Sequence, residues 1–254
     1  LPGRALPGLQ LQTIARRSVI TVDFKRLNIR SGDRILDIGC GSGRHTSAAY
    51  QQKKVVSIGA DLVINDLKAA AERLRLLDRL GEHGGGSWGL TAADVGSLPF
   101  RDNTFGGVIF AEVLEHLQDY AKGITEAARV LKPGGVLAVS VPRGWPERIC
   151  WTLSAEYAAT EGGHLRIFNK NELINCIEMS GVKMTASHYA HSLHSPYWWL
   201  KCLVGPSIED NRAVNHYQRF LIWDIMKKPP AIQLFDKMLN PILGKSLVMY
   251  FKKR

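Results

Sequence analysis

The chain has 254 residues, 45% of them hydrophobic, which suits one large α/β domain or a core domain with a sizeable insertion. No stretch approaches the roughly 18 consecutive apolar residues that a membrane span needs. The formal net charge of +10 leaves nucleic acid, an anionic membrane surface and anionic substrates open as partners. Ten Lys and Arg against four Asp and Glu between Thr185 and Arg254 supply six of those ten charges, so the basic character lies mostly in the last quarter of the chain. Cys40, Cys150, Cys176 and Cys202 form no CxxC pair and suggest neither a zinc site nor a disulfide framework. The opening LPGRALPGLQLQTIARR lacks the basic start and long apolar centre of a signal peptide, so the expected compartment is a reducing cytoplasm.

Residues 12–28 have the spacing of an amphipathic helix, with Ile14, Val19, Val22 and Leu27 facing inward. SGDRILDIG reads as a turn entering a buried strand, and RHTSAAYQQ as the helix after it. KVVSIGADL is a second buried strand, followed by the helix INDLKAAAERLRLLDRL and the Gly-rich loop GEHGGGS. WGLTAAD and FGGVIFAEV are the third and fourth strands. LEHLQDYAKGITEAARVL is helical, and GGVLAVSVP is the fifth strand. Continuous apolar strands alternating with helices predict a parallel sheet covered on both faces. After Pro142 comes a stretch too long for an ordinary connection, 143–168, then a capped helix in NKNELINCIEMSG and a sixth strand, VKMTASHYA. Residues 191–245 are rich in Trp, Tyr and Lys and broken by prolines, and KSLVMYFKK is the last strand.

The stretch ILDIGCGSGRHT carries Gly39, Gly41 and Gly43 as GxGxG. A dinucleotide fingerprint places its third glycine one residue later, and a phosphate loop ends in GK[ST], which Arg44-His45 does not supply. By itself the pattern also fits a plain strand-to-helix turn. The acids around it narrow the choice. Asp37 sits two residues before Gly39, where a carboxylate repels a pyrophosphate but favours a cation. Asp61 ends the second strand, where an acid can accept from both ribose hydroxyls, and Asp94 ends the third, within reach of an adenine amino group. S-adenosylmethionine carries both an ammonium and a sulfonium, and bare glycines let backbone approach it closely.

With these pieces the sequence resembles the class I S-adenosylmethionine-dependent methyltransferases, in particular the methyltransferase type 11, ubiquinone-biosynthesis-like group. ILDIGCGSGRHT, IGADL, ADVGSLPF, FGGVIFAEVLEHL and RVLKPGGVLAVSVP run in family order, covering residues 12 to about 190. The resemblance implies a doubly wound, Rossmann-like α/β fold. Its sheet has seven strands, mostly parallel with one antiparallel, and carries a helical lid. A cofactor core then spans 12–142, lid and acceptor segments span 143–168 and 191–245, and the last strand spans 246–254. The resemblance also implies Asp37, Gly39, Cys40, Gly41 and Gly43 near the methionine end, Asp61 and Leu62 at the ribose, Asp94 and Val95 near the adenine, and Glu112 lining the pocket. Gly59-Ala60 in IGADL is a mild departure, since bulkier residues are common there.

A hydroxyl acceptor must lose a proton, to a His or carboxylate or with help from a metal. If a helix begins at EVLEHL, then Glu112, Glu115 and His116 lie at i, i+3 and i+4 on one face. Two carboxylates and an imidazole can bind Mg²⁺ or a similar ion. The segment resembles the E-V-x-E-H of polyprenyl dihydroxybenzoate O-methyltransferases, where that trio is implicated in metal binding; relatives also carry it without a metal. His116 and His164, the latter in EGGHLRIF, are the candidate catalytic bases. His188, His191 and His194 have no spacing suited to a strand-borne metal site, though one of them could face the acceptor. Tyr197, Trp198 and Trp199 read as core or homodimer packing, as a sugar-stacking surface, or as a lipid groove. RFLIWDIMKKPP sets aromatic and apolar residues beside Lys227-Lys228, which suits peripheral contact with an anionic membrane, here the inner face.

The tail, in HSPYWWLKC, NHYQRFLIWDIMKKP and GKSLVMY, more weakly resembles actinobacterial methyltransferases of envelope or polymethylated-polysaccharide biosynthesis. That resemblance implies a sugar hydroxyl, on a glycan or lipid-linked saccharide, as acceptor. A prenylated quinone precursor is the second reading, and a non-catalytic cofactor-binding partner or scaffold the third. RNA comes last: no RNA-binding module accompanies the basic tail, and FAEV stands where many amino-methylating enzymes carry N/D-P-P-Y.

Overall fold

The computed structural model describes residues 19–160 and 162–254. Ile14 and most of the first half of the expected opening helix lie outside the described residues. From Val19 onward that helix does not form. Asp23 accepts from the Lys25 N–H and starts a single 3-10 turn, Phe24–Leu27, which Asn28 ends in the left-handed region at φ 51°. Val22 and Leu27 are buried nonetheless, so the apolar spacing marked the inward residues without marking a helix.

The sheet is built from β1 (Arg34–Ile38), β2 (Val56–Asp61), β3 (Ser87–Ala92), β4 (Phe105–Ala111), β5 (Leu131–Pro142), β6 (Val182–Ala190) and β7 (Ser246–Lys253). Their order is β3-β2-β1-β4-β5-β7-β6. β1 to β5 pair in parallel, and β7 runs antiparallel to both β5 and β6. This is the doubly wound seven-stranded sheet with one reversed strand. Leu36 and Ile38 of β1 pack into one core, with Phe110, Val139 and Met249. Ile35 points to the other face, with Ile109, Ala138 and Tyr250. The period-2 alternation of a strand thus feeds two cores at once.

Helices α1 (Arg44–Tyr50), α2 (Ile64–Leu80) and α3 (Tyr120–Val130) cross between the strands. Two loop glycines are sterically required. Gly39 has φ 64°, and a Cβ there would lie 2.5 Å from Val113 Cγ2; Gly43 has φ 76°, and a Cβ there would lie 2.8 Å from the Ala70 Cβ. The departure at Gly59 is explained in the same way: a Cβ would meet Cys40 Sγ and Thr46 Oγ1, each at 2.9 Å. The side chains that fill this space come from the Gly-rich loop, from α1 and, nearest at 2.8 Å, from Leu90 of β3.

The segment 114–131 is not one helix. Leu114–His116 form a 3-10 turn, Leu117 is extended, and Asp119 caps α3 by accepting from the Lys122 N–H. Glu112 itself has φ 58°. The expected i, i+3, i+4 face of Glu112, Glu115 and His116 therefore does not exist.

Segment 143–168 contributes α4 (Gly144–Leu153) and α5 (Ala155–Ala158), α6 (Lys170–Glu178) precedes β6, and segment 191–245 contributes α7 (His194–Val204), α8 (Arg212–Lys227) and α9 (Pro230–Leu243). The two insertions pack on each other. Trp199 Nε1 donates to the Pro146 carbonyl at 3.0 Å, and Cys150 on α4 and Cys202 on α7 are both buried. Asp236 of α9 accepts from the backbone N–H of Leu193 and from the Ser192 hydroxyl, tying α9 to the start of α7.

Candidate active site

The parallel strands β1 to β4 end along one edge, where the sequence places its acids. Asp61, ending β2, holds the Gly-rich loop: its Oδ2 accepts from Gly41 N at 2.7 Å and its Oδ1 from Val63 N at 2.8 Å. A Cβ at Gly41 would meet nothing within 4 Å, so bare backbone faces open space beside that carboxylate. Leu62 is 71% exposed at the same edge. Asp94 is exposed and accepts from Gly96 N at 2.9 Å; Val95 packs over Gly123. An approachable backbone, an exposed apolar side chain and carboxylates ending β2 and following β3 fit a cationic adenosine ligand such as S-adenosylmethionine.

Two of the expected residues act from behind this edge. Asp37 is 2% exposed and lies on the same strand face as Ile35, towards α1. Its Oδ2 accepts from both the N–H and the hydroxyl of Thr46, at 2.8 and 2.7 Å. Burial pushes its pKa up to about 6, against the opposing pull of those hydrogen bonds. Cys40 contributes backbone to the loop while its side chain is buried against β2.

A cavity of about 610 Å³ lies between this edge and the helical cover. It is lined by Glu112 and His116 after β4, Tyr157 and His164 from the first insertion, and Trp198 and Lys245 from the second, with Arg44, His191 and His194 among its other walls. Glu112 reaches it because its positive φ turns the side chain away from the 3-10 turn: Oε1 accepts from Ser140 Oγ at 2.8 Å, while its N–H continues the ladder to the Ser140 carbonyl.

The cavity's polar groups form one network. His164 Nδ1 lies 2.6 Å from Glu147 Oε1, and Lys245 Nζ lies 2.6 Å from Glu147 Oε2. Burial alone would raise the Glu147 pKa; hydrogen bonds and charge from His164 and Lys245 reverse this and bring it down to about 2. His116 Nδ1 lies 3.0 Å from the Gly163 carbonyl, and the His116 and His164 rings meet edge to face at 5.1 Å. Glu115 is fully buried with neither carboxylate oxygen hydrogen-bonded. Burial, and then the charge of Glu112, push its pKa well up. The structure thus brings Glu115, His116 and His164 together, and sets Glu112 apart from them.

The aromatic triplet divides its work. Trp199 bonds into α4, Tyr197 packs at 6.0 Å from Tyr217, and Trp198 faces the cavity, 5.8 Å from Tyr157. Of the three downstream histidines, His191 and His194 line the cavity and His188 stacks on Tyr250. Glu147, Tyr157 and Lys245 were not singled out from the sequence. Glu147 sits in a short apolar helix with no motif around it, and its partner Lys245 is 98 residues away. A lone acid on an apolar helix face was the only local signal.

The fold, the glycine turn and the strand-end acids are like those of the class I S-adenosylmethionine-dependent methyltransferases. Residues 36–139 match the family model for a methyltransferase domain, so this part of the chain is such a domain. The similar proteins include methyltransferase GfsG of Streptomyces halstedii, 32% identical over 120 residues, which is 46% of this chain and 40% of that protein. They also include a demethylmenaquinone methyltransferase of Corynebacterium urealyticum, 33% identical over 116 residues, 46% of this chain and 44% of that protein. The matched stretch spans less than half the length of either relative. A crystal structure described as a methyltransferase of Bacillus halodurans superposes with a TM-score of 0.59 over 90% of this chain and 96% of that one, at 19% identity, a likeness of fold.

Proposed function

We propose that the protein transfers a methyl group from S-adenosylmethionine to a hydroxyl of an acceptor held in the 610 Å³ cavity. The observation that carries this reading is that the cavity adjoins the strand-end crevice at Glu112 and presents imidazoles at the junction. When bound, S-adenosylmethionine supplies a methyl carbon already activated on a sulfonium, so the attacking oxygen forms the new C–O bond as the C–S bond breaks. The chain's task is to position that oxygen and take its proton. His164, its Nδ1 held by Glu147, turns Nε2 away from that carboxylate, and His116, its Nδ1 held by Gly163, does likewise.

The acceptor we favour is a sugar hydroxyl on a glycan or lipid-linked saccharide. Trp198 and Tyr157 offer flat apolar faces for the C–H side of a sugar ring, while Lys245, Glu112 and the histidines offer polar contacts for its hydroxyls. A prenylated ring is the second reading, favoured by the name of the Corynebacterium relative. The outer face of α8 and α9 supports an acceptor carried by a membrane. Ile222, Trp223, Leu234, Phe235, Met238 and Ile242 are exposed there. The nearby acids turn inward, Asp224 onto Gln233 and Asp236 onto Ser192, leaving Lys227, Lys228 and Lys237 exposed for anionic headgroups. No helix among the described residues is long and apolar enough to cross a membrane.

The test is a methyl-transfer screen with labelled S-adenosylmethionine against oligosaccharides, polar lipids, quinone precursors and RNA. Label in a glycan supports the favoured acceptor, and label in a ring or RNA replaces it. Tight cofactor binding with no label in any acceptor would point to a non-catalytic binding protein.

A further inference from the structure

Glu115 has no part in the reaction as derived, yet it is the side chain most at odds with its surroundings. It is wholly buried, both of its oxygens lack a hydrogen bond, and two further carboxylates, Glu112 and Glu147, act on it. A buried polar group left unsatisfied calls for a partner.

The imidazoles beside it are built to share one. The Gly163 carbonyl can only accept, so His116 carries its proton on Nδ1. Glu147, ionised by its bond to Lys245, likewise fixes the His164 proton on Nδ1. Both rings therefore turn Nε2 away from these partners, as the ligand atom each offers in its neutral form. His116 Nε2 lies 4.0 Å from Glu115 Oε1, and one ligand atom from each of Glu115, His116 and His164 falls within 4.8 Å of the other two. The Leu165 N–H donates to the Glu115 carbonyl at 2.9 Å, which locks the 3-10 turn onto the segment bearing His164. A histidine whose far nitrogen is tied to a carboxylate or carbonyl is the arrangement that orients metal ligands.

We infer that Glu115, His116 and His164 form a two-histidine, one-carboxylate site for a divalent transition-metal ion. Two imidazole nitrogens and one oxygen select Mn²⁺, Fe²⁺, Co²⁺ or Zn²⁺ over Mg²⁺, which prefers oxygen ligands and retained water. The cation satisfies the orphaned Glu115 oxygens and offsets a cluster in which three carboxylates face one lysine. Three protein ligands leave coordination positions open, and His116 and His164 both line the cavity. With their Nε2 atoms on the ion, His116 and His164 would serve the acceptor through it rather than take the proton themselves: the ion would lower the pKa of a coordinated hydroxyl, whose proton passes to water. Both the ligand set and the ion differ from the Glu112, Glu115, His116 and Mg²⁺ reading of the sequence.

Binding is read without cofactor or acceptor, so its failure and the failure of the methyl-transfer reading are separate results. Chelator-stripped protein is titrated with Mn²⁺, following the loss of the free-ion electron paramagnetic resonance signal, and with Co²⁺, following its visible absorption. One ion per chain is expected, with Mg²⁺ a poor competitor. Glu115→Gln, His164→Ala and the surface-tolerant His116→Ala should each weaken Mn²⁺ binding by about 10- to 100-fold or more. Glu112→Gln should leave it unchanged. Circular dichroism of each variant confirms the fold, and His116→Ala keeps the test decisive if a buried variant fails to fold. No Mn²⁺ or Co²⁺ binding to the parent at millimolar ion, or binding that survives His116→Ala, overturns the site. Equal loss in Glu112→Gln would return the ligands to the face read from the sequence.

Discussion

The two sides of the site are built in different ways. On the cofactor side, each functional residue ends a strand or begins the next turn, and its partners lie within 20 residues: Asp37 holds Thr46, and Asp61 holds Gly41 and Val63. On the acceptor side, a single cluster draws Glu115 and His116 from the turn after β4, Glu147 and His164 from the first insertion, and Lys245 from the end of the second. The first arrangement follows from strand geometry. The second exists only if three distant segments dock. The cofactor side should therefore tolerate change in the cover, whereas the acceptor side should fail as a unit.

His164→Ala breaks the comparison most sharply. It should lower turnover by roughly 10²- to 10⁴-fold while leaving S-adenosylmethionine affinity unchanged by calorimetry. A matching loss of cofactor affinity would show that the two sides are not separable. Next, Lys245→Met removes one partner of a buried pair, in which Lys245 and Glu147 are 12% and 1% exposed. It should cost about 3–5 kcal/mol of folding stability in denaturant titration. The double variant with Glu147→Gln should recover part of that cost, and strict additivity would mean the pair is not coupled.

Asp37 gives a pH test on the cofactor side. Its folded pKa, pushed up to about 6 by burial, lies above the unfolded value, so the unfolded chain loses this proton first as pH rises. Its contribution should be fully present below about pH 4 and fall away up to about pH 6, by about 3 kcal/mol. Asp37→Asn, which keeps an oxygen for Thr46, should flatten that slope in thermal unfolding at a series of pH values. The smallest effect is at the ribose position. Asp61→Ala should weaken cofactor binding by about 1–3 kcal/mol. Unchanged affinity would confine Asp61 to holding Gly41.

The sequence was most legible where function and local structure coincide. GxGxG, the three strand-end acids and the alternating strands gave the fold and the cofactor crevice, because each rests on spacings of a few residues. It misled at 112–116, where helical spacing suggested a face that the positive φ of Glu112 and the extended Leu117 abolish. Both are backbone choices set by the ladder to β5 and by the packing of the turn, and neither leaves a periodicity to read. It was silent on Glu147, Tyr157 and Lys245.

By itself, then, the sequence determined the doubly wound sheet and its cofactor edge, and it named His116 and His164 as candidates, whose rings the fold brings together at 5.1 Å. Strand alternation and turn chemistry act over short range and are written residue by residue. Only the tertiary structure decided that Trp198 faces a cavity while Trp199 is glue, that Glu115 is stranded among imidazoles, and that Glu147 links His164 to Lys245. Those facts depend on how the two insertions pack against each other, and close packing of segments far apart in the chain has no local signature.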